Sequence, residues 1–187
     1  VRENATSPEM LEKLQQNYKG KDFEAYLREL KQDKLEALHH ELDLQITDLP
    51  ITLFEFEALN GGKVDMSRQS GKILVLDFWA TWCAPCKAAM PGMNMALQRY
   101  AGDKSVEFFF VSTLESRKNY KQEIADFLKA SDFEHFNVLL DSETAGGREK
   151  DHAYTTYAKE YNISGIPQKM IIDGKGRLRW RSTGHYG

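Results

Sequence analysis

The sequence predicts an α/β sandwich preceded by a helical extension, and three features indicate it. Residues 1–43 are polar and carry apolar side chains at helical spacing. Residues 73–79 form an almost wholly apolar run, which is typical of a strand buried on both faces of a sheet. From this run onward, strand and helix patterns alternate and end in a hairpin. This order predicts helices packed on a central sheet.

The composition fits a globular protein and excludes several other classes. The chain has 187 residues, of which 41% are hydrophobic and 28% are charged, so it can bury a substantial core and is neither disordered nor collagen-like. Its net charge of −3 does not indicate binding to nucleic acid or to an anionic membrane. No apolar run approaches the roughly 18 residues that a membrane-spanning helix needs. The two cysteines exclude a multi-disulfide framework.

Residues 1–43 are expected to form a helical N-terminal extension of a main domain, residues 44–187. Leu11 and Leu14 recur at helical spacing, and Asp22 can cap a second helix that reaches about residue 42. We expect the extension to pack on the next domain or to be the tail of a missing upstream one. The alternative is a dedicated partner-binding helix. The chain begins at Val1 without a signal-peptide pattern, which indicates a fragment or a processed form.

The elements of the main domain can be placed in order along the chain. Two strands, near residues 52–56 and 64–66, flank the turn signal Asn60-Gly61-Gly62 and precede the buried run. We then expect a helix over 83–100, a strand over 106–111, a helix over 117–130, a short strand over 137–140, a helix over 153–161 and a hairpin of strands 169–172 and 177–180. The polar segment 143–152 is expected to be a loop insertion, and we assign it no function.

The chemistry of the chain is concentrated in Trp82-Cys83-Ala84-Pro85-Cys86-Lys87, where a buried strand leads into a helix. The first helical turn presents unpaired N–H groups and the positive end of the helix dipole, which favour a thiolate over a thiol. Cysteines of such C-x-x-C pairs have pKa values of roughly 3.5–7.5. Pro85 is tolerated in a first turn and stiffens the active-site loop that it forms with Ala84. We expect Cys83 to be the exposed nucleophile and Cys86 the more buried resolving cysteine.

Other interpretations of the two cysteines are weaker. A zinc site needs two more ligands, and the five histidines show no ligand spacing beyond the adjacent His39-His40, so we expect no metal. A structural disulfide closing so short a loop stabilises the fold little by the loop-length argument. Two inert buried cysteines are a further alternative. A peroxidase would need a lone reactive cysteine in a different sequence context.

The segment around the cysteines resembles a known family. Residues 76–87 (LDFWATWCAPCK) resemble the active-site segment of thioredoxins. Thr81, the pair Met90-Pro91, the hairpin before the active-site strand and the extra helix and strand over 117–140 resemble the TlpA/ResA type of extracytoplasmic thiol–disulfide oxidoreductase, with AhpC/TSA–Redoxin-like relatives. The resemblance covers residues 44–187. It implies a thioredoxin-like fold, a central mixed β-sheet flanked by helices, that lacks its usual closing helix in this chain.

A second match lies downstream, at Ile163-Ser164-Gly165-Ile166-Pro167. The resemblance implies a cis peptide bond before Pro167, next to the cysteine pair. It also implies that the Ile166 backbone pairs with an extended substrate segment, which is recognition by strand addition. Trp82 is expected to shield the sulfurs and to contact partners. The alternative for Pro167 is an ordinary turn proline.

Asp77 is unusual because it places a carboxylate within the apolar strand. Burial of this group is costly, and desolvation should raise its pKa. Asp77 lies six residues before Cys83, and its position matches the buried acid of thioredoxins. The resemblance implies that Asp77 exchanges a proton with the resolving cysteine, directly or through water. The alternative is an aspartate at a strand edge that reaches solvent or a basic partner.

The resemblance implies a thiol–disulfide oxidoreductase that reduces partner-protein disulfides through a Cys83/Cys86 cycle and uses no cofactor. Its partners would be proteins with disulfides or thiols and an upstream redox donor. Alternatives are a disulfide oxidase or isomerase with the same site, or a non-catalytic docking module. The resemblance also implies the bacterial periplasm or cell envelope, with a membrane anchor upstream of Val1; the cytoplasm is the alternative location.

Overall fold

The computed structural model describes residues 8–20, 22–43, 45–142 and 150–184. Most of the predicted insertion at 143–152 lies outside the described residues. The chain divides into two compact units, Val1–Ile46 and Thr47–Gly187, which are described separately. The expected domain boundary between residues 43 and 44 stays a prediction.

Where the first unit is described, it forms two helices, α1 (Pro8–Asn17) and α2 (Phe23–Asp43). The Asp22 carboxylate accepts a hydrogen bond from the Ala25 N–H at 2.8 Å, so Asp22 caps α2 as predicted. The Tyr18 ring stacks on Tyr26 with a centroid distance of 4.8 Å and joins the loop between the helices to α2. Neither of these helices, nor any other helix in the described ranges, is long and apolar enough to cross a membrane.

In the residues described for the second unit, eight strands form one mixed sheet. The strands are β1 (Ile46–Pro50), β2 (Glu55–Ala58), β3 (Lys63–Asp65), β4 (Ile73–Trp79), β5 (Val106–Ser112), β6 (Val138–Leu140), β7 (Gln168–Ile172) and β8 (Arg177–Thr183). Their order across the sheet is β1-β8-β7-β4-β5-β6-β2-β3. Three α-helices, α3 (Ala84–Arg99), α4 (Tyr120–Ala130) and α5 (His152–Tyr161), and one short 3-10 helix, Met66–Arg68, complete the described part of the unit. The predicted α/β thioredoxin-like fold is confirmed.

Strand β4 lies inside the sheet, where it pairs in parallel with β5 and antiparallel with β7. Its side chains alternate between two buried clusters because successive residues of a strand point to opposite faces. Leu74, Leu76 and Phe78 pack in a cluster that also contains the tyrosines of α5. Trp79 packs in the other cluster, with Cys83 and Cys86 at the start of α3. Helix α3 therefore covers the Trp79 face of β4.

The edge strand β1 was not predicted. Only two of its five residues, Ile46 and Leu49, are large and apolar, and both are exposed, so the segment has no strand-like burial pattern. Its pairing with β8 is a long-range contact that the local sequence does not encode. Asp48 joins the two strands through an ion pair with Arg177. At the other end of the chain, β8 is the last element among the described residues, and the predicted lack of a closing helix stays a prediction.

Candidate functional site

The two cysteines lie where the end of β4 leads into α3, as predicted. They form a disulfide with a Cα–Cα distance of 5.3 Å. Cys83 is the N-cap residue of α3, and its Sγ accepts a hydrogen bond from the Cys86 N–H at 3.2 Å. Pro85 lies in the first turn of α3, where its missing N–H leaves no helical bond unmade. The Cys83 sulfur therefore occupies the place where a helix start stabilises negative charge.

Both cysteines are buried in this oxidised state. The exposed fraction is 3% for Cys83 and 1% for Cys86, so the prediction of an exposed Cys83 is wrong. The reason is tertiary: the Cys83 Sγ lies 3.9 Å from the Ile166 carbonyl oxygen, a neighbour from a distant part of the chain. The exposed side chain of this loop is that of Trp82, with 55% of its surface accessible.

The segment before β7 contains Ile166, whose carbonyl oxygen lies beside the Cys83 sulfur. The Ile166–Pro167 peptide bond is cis, as the family resemblance implied. The Pro167 carbonyl accepts a hydrogen bond from the Gly184 N–H at 2.7 Å, which ties this segment to the end of β8. The buried Gln168 accepts a hydrogen bond from the Thr183 hydroxyl at 2.5 Å. Gln168 was not predicted as a site residue, because an amide after a proline carries no recognisable signal.

Asp77 lies on the same face of β4 as Trp79, the face that packs against the cysteine pair. It is 1% exposed, and its Oδ1 has no hydrogen-bond partner among the described residues. The Lys169 ammonium lies 3.6 Å from this oxygen, and the two residues are directly opposite each other in the β4–β7 pair. Burial raises the pKa of Asp77 to about 6, against the opposing effect of the Lys169 charge. Asp77 is thus buried, as predicted. It also has a basic partner, Lys169, which was part of the alternative interpretation.

The loop between β4 and α3 is held by the segment that follows β5. The buried Glu115 carboxylate accepts hydrogen bonds from the Thr81 N–H at 2.7 Å and from the Thr81 hydroxyl at 2.8 Å. The Trp82 indole N–H donates to the Leu114 carbonyl at 3.0 Å. Glu115 escaped the sequence analysis because it lies 34 residues from Thr81, in a segment with no recognisable motif. The only local signal was a carboxylate three residues after the end of a buried strand.

Lys87 does not approach the sulfurs in any contact that the described residues show. Its ammonium lies 5.6 Å from the centroid of the Phe127 ring on α4, in a cation–π contact. No group of three or more His, Cys, Asp or Glu side chains in the described part of the chain could hold a metal ion. The site therefore consists of a pair of sulfurs, a buried carboxylate and backbone groups. These are the groups that thiol–disulfide exchange requires.

Comparisons with known proteins agree with this geometry. The chain is 28% identical to the thioredoxin-like protein YneN of Bacillus subtilis over 126 residues, which span 67% of this chain but only 65% of YneN. It is 28% identical to the thiol-disulfide oxidoreductase ResA of Bacillus thuringiensis over 148 residues, 79% of this chain and 70% of ResA. The crystal structure of StoA from Bacillus subtilis superposes with a TM-score of 0.54 at 25% identity, over 72% of this chain and 90% of StoA.

These matches confirm the resemblance to TlpA/ResA-type proteins. The AhpC/TSA family profile matches residues 48–181, a range that contains the sheet from β2 to β7, the cysteine pair and the Ile166–Pro167 segment. Because this match covers well over half of the chain, the chain belongs to the AhpC/TSA family.

Proposed function

We propose that this protein is a thiol–disulfide oxidoreductase that reduces disulfides in partner proteins. The observation that carries the proposal is the disulfide at the start of α3, with Cys83 at the N-cap position and its sulfur against the Ile166 carbonyl. A helix start favours the Cys83 thiolate once the bond is reduced. The names of relatives such as ResA, a thiol-disulfide oxidoreductase, support this activity.

The first step is attack by the Cys83 thiolate on a partner disulfide. A bond forms between Cys83 and one partner sulfur, the partner disulfide breaks, and the other partner sulfur leaves as a thiolate. The Ile166 backbone and the exposed Trp82 are the groups that lie beside Cys83, and we propose that they hold the partner segment in extended form. Protein thiols and disulfides are accordingly the substrates.

The second step is attack by Cys86 on the Cys83 sulfur of the mixed disulfide. The Cys86 thiol must first lose its proton, and we propose that Asp77 accepts it, directly or through water. Two observations support this role: Asp77 lies on the face of β4 that packs against the cysteines, and its raised pKa makes it a usable base near neutral pH. The step releases the reduced partner and leaves the Cys83–Cys86 disulfide, so two electrons have passed to the partner.

Two substitutions test the function directly. Cys83→Ser should abolish the reduction of insulin disulfides by the dithiol form. Cys86→Ser should keep the first step and accumulate a mixed disulfide, because the resolving thiol is gone. Wild-type activity in both variants would show that the cysteines do not carry the reaction. A reduction potential well below about −300 mV would instead indicate a locked structural bridge, as a docking module would have.

The direction of electron flow and the location belong to the same proposal. As a reductase the protein needs an upstream dithiol donor; as an oxidase or isomerase the same residues would run the exchange in reverse. The resemblance to the TlpA/ResA type supports the reductase direction and a place outside the cytoplasm, in the periplasm or cell envelope. Fractionation of the source cells tests the location, since recovery in the cytoplasmic fraction would contradict it. A cysteine pair held reduced in those cells would support the reductase direction, and a pair held oxidised would contradict it.

A further inference from the structure

We propose that Glu115 is a positioning residue for Cys83, because its buried carboxylate holds Thr81 and with it the loop that presents the sulfur. This inference rests on the proposed function, since it concerns how the Cys83 sulfur of the same site is held in position for its attack. It assigns a role to a side chain that touches neither cysteine in any described contact and acts through Thr81, which lies two residues before Cys83.

The bonding of Glu115 is directed at one residue of the active-site loop. Its two oxygens accept from the backbone N–H and from the hydroxyl of Thr81, at 2.7 and 2.8 Å, and one of them also accepts from the Ser112 hydroxyl at 3.2 Å. The residue is 1% exposed, so these bonds replace water that the carboxylate has lost. A buried carboxylate with three donors is a rigid attachment point.

The loop that Glu115 holds has little support of its own. Residues 80–83 belong to neither β4 nor α3, and one backbone bond, from the Cys83 N–H to the Ala80 carbonyl at 3.1 Å, closes the turn. Thr81 and Trp82 form the corners of that turn. Both are bound to the segment after β5, Thr81 through Glu115 and Trp82 through the Leu114 carbonyl at 3.0 Å. The position of Cys83 therefore depends on this second segment.

Leu114 and Glu115, which hold the loop, are themselves hydrogen-bonded to residues farther along the chain. The Leu114 N–H donates to the Asp151 carboxylate at 2.7 Å, and the Glu115 N–H donates to the Ser142 hydroxyl at 3.0 Å. The Lys150 ammonium also donates to the Glu115 carbonyl. Leu114 has a φ of 56°, an unusual backbone conformation for a leucine, which these contacts hold in place. Glu115 thus connects the active-site loop to Ser142, directly before the predicted insertion, and to Lys150 within it.

The consequence for chemistry follows from where the Cys83 sulfur lies. It must stay at the N-cap of α3, within reach of the Cys86 N–H, to keep its thiolate stabilised, and next to Ile166 to meet the substrate. A displacement of about 1 Å at a reacting group can cost about 100-fold in rate. Loss of the hydrogen bonds between Glu115 and Thr81 should therefore slow attack by Cys83. It should also move the pKa of the Cys83 thiol toward the ordinary value of about 8.5.

The test compares Glu115→Met with Glu115→Gln in the full chain. Met keeps the length of the side chain and removes both acceptor oxygens and so all three hydrogen bonds, whereas the Gln oxygen can still accept from the Thr81 N–H and its amide can donate to the Thr81 hydroxyl. E115M should slow insulin reduction by about 10- to 100-fold. It should also shift the midpoint of the alkylation–pH curve of reduced Cys83 upward, while E115Q stays within a few-fold of the wild type in rate.

Tyr161→Phe is the matched control for lost stability. The Tyr161 hydroxyl donates to the Pro50 carbonyl at 2.6 Å, and the ring packs in the cluster on the opposite face of β4. This variant also loses a partly buried hydrogen bond, but its Cys83 alkylation curve should match the wild type. Alkylation curves that coincide for E115M and Y161F, with both proteins folded by circular dichroism, would overturn the proposal.

Two further outcomes are also decisive. If E115M does not fold, Thr81→Val removes one of the bonds and keeps Glu115; a slower attack by Cys83 then supports the proposal, and wild-type rates overturn it. If the wild type itself reduces no insulin, the proposed function fails. The alkylation curve of Cys83 then decides the positioning role on its own, because it needs no substrate protein.

Discussion

Asp77 shows at the level of one side chain how burial and a neighbouring charge compete. Desolvation favours the protonated carboxyl, and the Lys169 ammonium at 3.6 Å favours the ionised one. Desolvation has the larger effect, and the pKa of Asp77 therefore rises from 3.8 to about 6. A folded-state pKa above the unfolded value means that folding loses stability as the pH rises through this interval.

The first prediction concerns this stability and uses Asp77→Asn in the oxidised protein. The ionised carboxylate costs folding about 3 kcal/mol above pH 6, from the size of the pKa shift, and nothing below about pH 4. The Asn variant should therefore be more stable than the wild type at pH 7.5 by up to that amount, with the gain absent at pH 4. Urea unfolding at the two pH values measures it. An equal gain at both would contradict the assigned cause.

The second prediction concerns Lys169→Met. Removal of the ammonium takes away the charge that stabilises the Asp77 carboxylate, so the pKa of Asp77 should rise further. The acid side of the pH profile for resolution of the mixed disulfide should move upward by the same amount. Lys169→Arg keeps the charge and serves as the control. Identical profiles for K169M and the wild type would mean that the pair does not influence the proton transfer.

Helix α5 illustrates how single elements of this fold depend on distant side chains. Its second and third N–H groups, from Ala153 and Tyr154, donate to the Asp141 carboxylate, each at 2.9 Å. Asp141 follows β6, so the end of the sheet caps the start of the helix. Desolvation raises the pKa of Asp141 despite these bonds. The helix in turn directs the Tyr157 and Tyr161 hydroxyls to the carbonyls of Thr52 and Pro50.

The third prediction tests this cap with Asp141→Ala. Loss of the cap leaves helix N–H groups without partners and should cost about 1–2 kcal/mol of stability. Chemical unfolding at pH 7 measures the loss. Asp126→Ala on α4 is the control, because Asp126 is exposed and accepts only from the neighbouring Gln122 in the described contacts, so its loss should cost well under 1 kcal/mol. A D141A variant as stable as D126A would contradict the capping role.

Across the molecule, protection from solvent is distributed unevenly. Strand β4 is paired on both sides and lies between two buried clusters, whereas β3 is a three-residue strand at the edge of the sheet. In the first unit, most described side chains of α2 are exposed, among them Leu30, Leu35 and Leu42. Few buried contacts mean a low free energy of local opening.

The fourth prediction follows from this distribution and is read by native-state hydrogen exchange. Amides of β4, β5 and β7 should exchange most slowly, with opening free energies close to that of global unfolding. Amides of α1, α2 and β3 should exchange faster by orders of magnitude. Slow exchange throughout α2 would contradict this and would show that a further contact protects the extension.

Much of the fold was predictable because its signals are local. A strand buried on both faces needs an apolar run, and residues 73–79 supply it; helices α3 to α5 need helical spacing and have it. The cysteine pair was also predictable, since a C-x-x-C sequence at a helix start has few other uses. The cis bond before Pro167 came from the family resemblance, and the structure agrees.

What local sequence could not reveal are the contacts between segments far apart in the chain. Four such contacts each join residues that are 34 or more positions apart. They are the contact of Cys83 with Ile166, the ion pair of Asp77 with Lys169, the pairing of β1 with β8 and the hydrogen bonds of Glu115 with Thr81. The reason is physical. Periodicity and motifs report which way a side chain points along its own element, whereas pairing across the sheet depends on register and on which loops meet at its edge. The sequence determined the fold class and the reactive sulfurs, and the tertiary structure alone decided which charges and hydrogen bonds surround them.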